Sequence, residues 1–185
     1  MSELSVGTLS GLAANSYVID VASGSQLTQP GMILQVVSVT LLDTFSASLA
    51  TGGEADVTGL AATITPSSTS SKIMCLVSIS LDSPAAGNAN FAWIERNGTA
   101  IGIGNGEGSR KRVGASLQSD TNYPSSGPIT FLDSPASTSA LTYQVTIGHG
   151  SGATRIVYVN RSATDPNSVT SPRTISSITL MEVAG

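Results

Sequence analysis

The sequence has little of what stabilises small secreted domains or carries most enzyme chemistry. Only 11% of its 185 residues are charged and 4% are aromatic, with one cysteine and one histidine. A lone cysteine cannot form an internal disulfide, which indicates a reducing compartment and a fold stabilised by packing and assembly. No apolar run approaches the ~20 residues of a membrane helix, and the first eleven residues lack the pattern of a secretion signal. No membrane partner is expected.

Motifs for catalysis and metal binding are also missing. There is no CxxC or HExxH spacing, and no serine lies in a GxSxG turn. His149 stands in the glycine-rich stretch GHGSGATR and is predicted to be an exposed turn residue. Cys75 lies in the apolar run KIMCLVSIS and is predicted to be a small core hydrophobe. The sequence therefore predicts a protein that is not an enzyme and needs no cofactor.

Three weaker signals point to ligands. Glu54 and Asp56 could contribute to a calcium site, but such a site needs 6–8 oxygen ligands. The glycines at 102, 104, 106 and 108 miss the GxGxxG register and are predicted to end a strand. Arg110, Lys111 and Arg112 form the only basic cluster, with no aromatic residue near them in sequence and a net charge of −4. Nucleic acid is not expected as a partner, and the cluster is predicted to be a solvated loop or a salt-bridged subunit contact.

What is present is a series of short β patterns. Runs rich in Val, Ile and Thr are separated by Gly, Pro, Asn and Ser, which predicts an all-β sandwich or barrel with no helical pattern of note. The predicted strands are 32–42, 62–65, 72–80, 90–96, 99–104, 128–133, 141–148, 154–162 and 176–183.

The stretch FAWIERNGTAIGIG predicts a β-hairpin. Asn97-Gly98 favours a two-residue type I′ turn, which pairs Arg96 with Thr99 and continues to Trp93 with Gly102 and Ala92 with Ile103. Because side chains alternate along each strand, one side of the hairpin is directed towards the core, and the other carries Phe91 and Trp93 opposite small residues. That outer face is apolar enough to need a cover. We therefore predict a trimer or subunit interface at Phe91, Trp93, Arg110, Lys111 and Arg112.

Residues 1–30 differ from the remainder, because YVIDV is their one short apolar run and Pro30-Gly31 closes them. Two interpretations stay open: an extended first strand, or an arm that becomes ordered on another chain. We favour the arm, docked through Tyr17, Val18, Ile19 and Val21, with residues 31–185 forming the sandwich.

Five segments carry a family resemblance over about residues 32–185: TPSSTSSKI, RNGT, LDSPASTSALTY, YVNRS and the terminal SSITLMEV. Their order resembles a domain of virion structural proteins of tailed phages, particularly cyanophages and marine phages, found in tail fibres and head-surface proteins. The resemblance implies an antiparallel jelly-roll β-sandwich of the trimeric, tumour-necrosis-factor-like sort, here with an extended N-terminal arm, and no enzymatic role.

Three functions follow as expectations. The first is a homotrimeric capsid decoration (cement) protein, assembled in the host cytoplasm and located in the virion, that binds the major capsid protein or other virion proteins. The second is a short tail fibre or adsorption module that binds host surface glycan. The third, a glycan-degrading domain, would need paired acidic residues across a groove, which the sequence does not show.

Overall fold

The computed structural model describes residues 29–185 and contains only strands and loops in that part of the chain. Eleven strands follow one another: β1 Ile33–Leu41, β2 Phe45–Leu49, β3 Glu54–Ile64, β4 Lys72–Asp82, β5 Ala89–Arg96, β6 Thr99–Ile101, β7 Ala115–Gln118, β8 Ser125–Asp133, β9 Leu141–His149, β10 Arg155–Val159 and β11 Ser176–Val183. Residues 29–185 contain no helix that is long and apolar enough to cross a membrane.

The strands form two antiparallel sheets that pack face to face. Sheet A has the order β1-β11-β4-β8, and the short pair β10-β2 continues it beside the end of β4. Sheet B has the order β3-β9-β5, and both β6 and β7 pair with the outer edge of β5. Between β1 and β11 the chain crosses between the sheets six times: from β2 to β3, β3 to β4, β4 to β5, β7 to β8, β8 to β9 and β9 to β10. This is a jelly-roll sandwich, and the predicted fold class is confirmed for the described residues.

Alternation along the strands builds the core. In β4, for example, Ile73, Cys75, Val77, Ile79 and Leu81 all point inward and are buried, as expected for the period of two in a strand. Their counterparts on β9 of the other sheet are Leu141, Tyr143, Val145 and Ile147. The prediction for Cys75 is confirmed, and burial, followed by the nearby Asp133 carboxylate, raises the pKa of its thiol to about 12.

Two strands were not predicted from the sequence, and two predicted strands are shorter than expected, one of them the run at 154–162, which forms only β10. β2 (FSASL) and β7 (ASLQ) are short and serine-rich, so neither shows a clear β pattern. The run predicted at 99–104 ends at Ile101, because Gly102 adopts a positive φ of 60° and turns the chain away. β3 also begins at Glu54, eight residues before the predicted run at 62–65.

The predicted arm, residues 1–30, lies outside the described residues except for Gln29 and Pro30, and its docking residues Tyr17, Val18, Ile19 and Val21 lie outside them as well. At the start of the described chain, the Gly31 amide donates to the Ala184 carbonyl, and the Ala184 amide donates to the Met32 carbonyl, both at 2.8 Å. The sandwich therefore joins its first and last described segments beside β1 and β11.

Candidate functional surfaces

The Asn97-Gly98 hairpin has the predicted geometry at its tip. Asn97 and Gly98 have φ values of 49° and 77°, as a type I′ turn requires. Arg96 pairs with Thr99, Glu95 with Ala100 and Ile94 with Ile101. The predicted pairing of Ala92 with Ile103 is wrong, because β6 ends at Ile101 and Ala92 pairs instead with Ala115 of β7. Trp93 likewise does not pair with Gly102.

The two aromatic rings of β5 lie over Gly148 of β9 and over Gly150, which directly follows β9, and not over the β6 side. Phe91 and Trp93 are on the outer face of sheet B, as predicted. A Cβ added at Gly148 would stand 3.3 Å from the Trp93 ring, and one at Gly150 would stand 3.0 Å from the Phe91 ring. Gly102 instead faces Phe131 of sheet A. The absence of a side chain at Gly148 thus provides the room in which the tryptophan is seated.

The basic cluster covers Trp93 within the same chain. The Lys111 Nζ lies 4.9 Å from the centroid of the Trp93 ring, and it also bonds the Glu54 Oε2 at 2.6 Å. Together with the underlying glycine, this leaves Trp93 only 2% exposed, while its Nε1 donates to Glu95 at 3.1 Å. No aromatic residue is near the basic cluster in the sequence, but folding brings Lys111 over the Trp93 ring. The cluster forms a salt bridge to Glu54 of its own chain, and the predicted salt-bridged contact with another subunit stays a prediction.

The other two basic residues are tied to their own loop. Arg112 Nε donates to the Gly104 carbonyl at 2.7 Å, and Arg110 Nη1 lies 3.5 Å from the Glu107 carbonyl. Two shallow grooves flank the loop. One, of about 470 Å³, is lined by Trp93, Glu95 and Lys111 among others, and the second, of about 400 Å³, is lined by Phe91, His149 and Ser151 among others.

The acidic pair proposed for calcium is engaged with protein groups. Glu54 binds Lys111, and Asp56 accepts a hydrogen bond of 2.8 Å from the Thr146 hydroxyl. Across residues 29–185, no three side chains of the metal-ligating types come together.

The prediction for His149 is wrong. It ends β9, is 4% exposed, and both ring nitrogens bond the backbone. The Nε2 lies 3.0 Å from the Leu49 carbonyl, and the Nδ1 accepts from the Ser151 amide at 3.0 Å. Since Nδ1 accepts, Nε2 carries the proton and donates to Leu49. The strand β9 continues through Gly148 and His149 and ends only there, so the ring lies inside the sandwich at the end near β2.

Sequence reasoning missed a set of buried polar networks, and the first of them joins the two sheets. Arg96 of β5 binds the Asp133 carboxylate of β8 at 2.6 Å, and the Tyr143 hydroxyl of β9 donates to the same oxygen at 2.7 Å. Burial, with the hydrogen bond to Asp133 next, raises the pKa of Tyr143. A charge-assisted bond shared by three strands fixes how sheet A sits on sheet B.

A second network centres on Glu182 of β11, which is fully buried. Its carboxylate accepts from the Ser67 amide at 2.7 Å, from the Ser67 hydroxyl at 2.6 Å and from the Gln35 side chain. Burial alone would raise the pKa of Glu182, but these hydrogen bonds outweigh it and lower the pKa to about 2.

The third network holds the opposite end of sheet A. The Asn160 side chain donates to the Leu41 and Asp43 carbonyls, both at 2.9 Å, and accepts from the Ser176 hydroxyl at 2.7 Å. Nearby, the buried Asp82 accepts three backbone amides, the shortest from Ala163 at 2.8 Å. A carboxylate in this setting ties loops together and has no room for a substrate.

These networks involve all five segments that carry the phage resemblance. RNGT supplies Arg96 to the Asp133 and Tyr143 of LDSPASTSALTY, TPSSTSSKI supplies Ser67, and SSITLMEV supplies Glu182. YVNRS supplies Asn160, which meets Ser176 at the start of SSITLMEV. The alternation of side chains could have revealed two of these buried residues. Asp133 lies four positions after Ile129 and Glu182 four positions after Ile178, so each shares the inward side of its strand with a buried isoleucine.

The outer face of sheet A is the second surface of interest, and we call it the neutral face. Its residues pair across β1, β11, β4 and β8 in three rows: Val36, Met181, Met74 and Leu132; Ser38, Thr179, Leu76 and Thr130; Thr40, Ser177, Ser78 and Pro128. Each is apolar or carries a hydroxyl, and none is charged. Val36 is 55% exposed and Leu132 is 41% exposed.

Comparisons with known proteins give structural matches alone. No protein-family model matches the chain, and no curated protein matches it. The fold is similar to the infectious bursal disease virus VP2 subviral particle, at 16% identity and a TM-score of 0.38 over 81% of this chain and 37% of that one. It is also similar to infectious bursal virus derived T=1 particles, at 12% identity and a TM-score of 0.43 over 90% of this chain and 44% of that one. The chain thus spans less than half the length of these structures.

Proposed function

We propose that the chain is a non-enzymatic structural protein of a tailed-phage virion, which decorates the head as a homotrimeric cement protein. Its partners are then further copies of itself and the major capsid protein or other virion proteins. The jelly-roll fold is used by capsid proteins and also by lectins and cupins, so the fold by itself does not select the function.

The observation that carries the proposal is the role of the five resemblance segments. Polar residues of these segments link strands and sheets through hydrogen bonds. The pairs are Arg96 with Asp133, Ser67 with Glu182, and Asn160 with Ser176. The segments that resemble phage virion domains therefore supply polar residues that stabilise this sandwich. His149, the one histidine, is used in the same way. A shape-holding role accounts for this use of polar groups.

Residues 1–30 have a place in the same proposal, as an arm that docks on another chain of the particle. Tyr17, Val18, Ile19 and Val21 would add a strand to a neighbouring sheet edge, since main-chain hydrogen bonds supply affinity in such additions. Deletion of residues 1–28 should leave a folded protein that binds particles poorly. Full binding by the truncated protein to depleted particles would remove the arm from the proposal.

Copy number in purified virions tests the head location. A stained gel calibrated against the major capsid protein should show the chain in hundreds of copies per particle. A handful of copies would place it in the tail instead. Release of the chain by a low concentration of urea should also lower the temperature at which heads lose DNA, and unchanged head stability would contradict a cement role.

The alternative function is a short tail fibre or adsorption module that binds host surface glycan. The groove beside Trp93 supports this alternative, because Glu54, Glu95 and Arg110 place hydrogen-bonding groups around a mostly apolar surface. Such a combination suits a sugar ring. Binding to host glycans that is abolished by Glu95→Ala and kept by Thr63→Ala would support it, and no binding at millimolar glycan would exclude this groove.

A further inference from the structure

We propose that the neutral face of sheet A is the surface through which copies of this chain associate. The proposal deepens the assembly role proposed above, because it names the partner and the contact surface. It differs from the sequence-based expectation, which placed the interface at Phe91, Trp93 and the basic cluster. That expectation arose from an aromatic face in need of a cover, and Lys111 of the same chain covers Trp93.

The first argument is exposure of apolar groups in one contiguous patch. Val36 pairs with Met181, which pairs with Met74, which pairs with Leu132, so an apolar row crosses all four strands. Ile33 (48% exposed) and Leu76 (36% exposed) extend the patch to either side. Contiguous apolar patches of several hundred Å² mark interaction sites on soluble proteins.

The second argument is size. Four strands about 4.8 Å apart, followed for eight residues at about 3.3 Å each, cover a footprint of roughly 500 Å². Two copies facing each other would bury about twice that area, which reaches the ~1,000 Å² that a specific interface needs. Three copies that direct this face towards a threefold axis would bury about 1,500 Å² in total.

The third argument selects a second copy as the occupant. Around a rotation axis the same residues from each copy converge, so a charged side chain there meets its own charge. Among the exposed side chains of β1, β4, β8 and β11, the one that is charged is Lys72, and it lies at the margin of the patch beside Val183. The central row pairs Ser38 with Thr179, whose hydroxyls lie 2.8 Å apart. Hydroxyls both donate and accept, so this pattern can satisfy a copy of itself.

The experiment measures the mass of the purified 185-residue chain by sedimentation velocity. The protein concentration is varied between about 0.1 and 100 µM, a range that covers the dissociation constants expected for an interface of this area. We expect an oligomer, and we expect Val36→Glu and Leu76→Glu each to weaken association at least tenfold. Thr63→Glu, at an exposed strand position on the outer face of sheet B, is the matched control and should associate normally. Circular dichroism and thermal unfolding check each fold, and Ser38→Glu, which removes no apolar group, replaces any variant that does not fold.

Three results would overturn the proposal. The wild-type chain could be a monomer at 100 µM, the folded neutral-face variants could associate as tightly as wild type, or Phe91→Ala could dissociate an oligomer that Val36→Glu leaves intact. If a truncated chain lacking residues 1–28 associates while the full chain does not, then that segment is the occupant and the proposal is wrong. Because purified protein alone is used, these outcomes are independent of head or tail location in the virion.

Discussion

The strands of sheet A and of sheet B each contain three carboxylates, and the two sheets place them differently. Those of sheet A, Asp82, Asp133 and Glu182, are all buried. Those of sheet B, Glu54, Asp56 and Glu95, lie on the outer face. Sheet A therefore presents a neutral face to its surroundings. Sheet B presents a charged face, on which Lys111 covers the Trp93 ring.

The difference is consistent with the proposed association of copies through the neutral face of sheet A. A buried carboxylate that accepts several hydrogen bonds fixes loops and sheet packing, as Glu182 and Asp82 do. It also leaves the outer surface free of charge, which lowers the desolvation cost of a protein contact. Outward carboxylates do the reverse, so sheet B is suited to face solvent. Four substitutions test this contrast, taken from the largest expected effect to the smallest.

The seal over sheet B is tested first by Trp93→Ala. The ring is 2% exposed and packs on Gly148 and under Lys111, so its removal should leave a cavity and lower the free energy of unfolding by about 3–5 kcal/mol. Val36→Ala, at a 55% exposed position on the neutral face, should cost less than about 1 kcal/mol. Urea unfolding of both variants, below the concentration at which the protein associates, gives the comparison. Equal losses would mean that the two faces are equally covered.

The buried charge of sheet A is tested by Glu182→Gln. The folded pKa of about 2 lies below the ordinary 4.5, so the carboxylate stabilises the fold fully above pH 4.5 and loses this effect as pH falls towards 2. The variant should therefore be about 2–3 kcal/mol less stable than wild type at pH 7, with the gap closing near pH 2. Unfolding measured across this range checks it, with the exposed Glu107→Gln as the control. A gap that does not change with pH would show that the loss comes from packing.

The hairpin that carries the aromatic rings is tested by Gly98→Val. At a φ of 77° a β-branched side chain is strained although nothing lies within 4 Å of the added Cβ, so the cost should exceed about 1 kcal/mol. Gly104→Ala, where the added Cβ also meets nothing and φ is not positive, should be close to neutral. The melting temperatures of the two variants decide whether the turn, and not the volume added, sets the effect.

How far the sequence predicts this structure depends on the range of the interaction. Alternation and turn chemistry act locally, so the Asn97-Gly98 turn, the inward side of β4 and the burial of Cys75 were all predictable. The covering of Trp93 was not, since Lys111 is 18 positions away and its approach depends on how the glycine-rich loop folds back over sheet B. The same holds for His149, whose burial depends on Leu49, 100 positions away.

The candidate surfaces divide in the same way. The aromatic outer face of β5 was predicted, but the cover of Trp93 by Lys111 of the same chain was not. The interface predicted at Phe91, Trp93 and the basic cluster stays a prediction. The neutral face was not predicted at all, because it is assembled from β1, β4, β8 and β11, whose register no single stretch of sequence contains. Once the register is known, the absence of charge across four strands becomes visible.

The smallest expected effect is that of Lys111→Met, which asks what holds the seal in place. The Lys111 and Glu54 side chains are 36% and 51% exposed, so their salt bridge is screened by water and should contribute less than about 1 kcal/mol. Methionine keeps an apolar stem over the ring and removes the charge, whereas Lys111→Ala removes both. The chain has one tryptophan, so its fluorescence reports on this site alone. We expect acrylamide quenching of Trp93 to stay near wild type in the methionine variant and to rise in the alanine variant. Equal quenching in both would mean that the charge, through Glu54 and the ring, positions the loop, and the seal of sheet B would then weaken with rising salt.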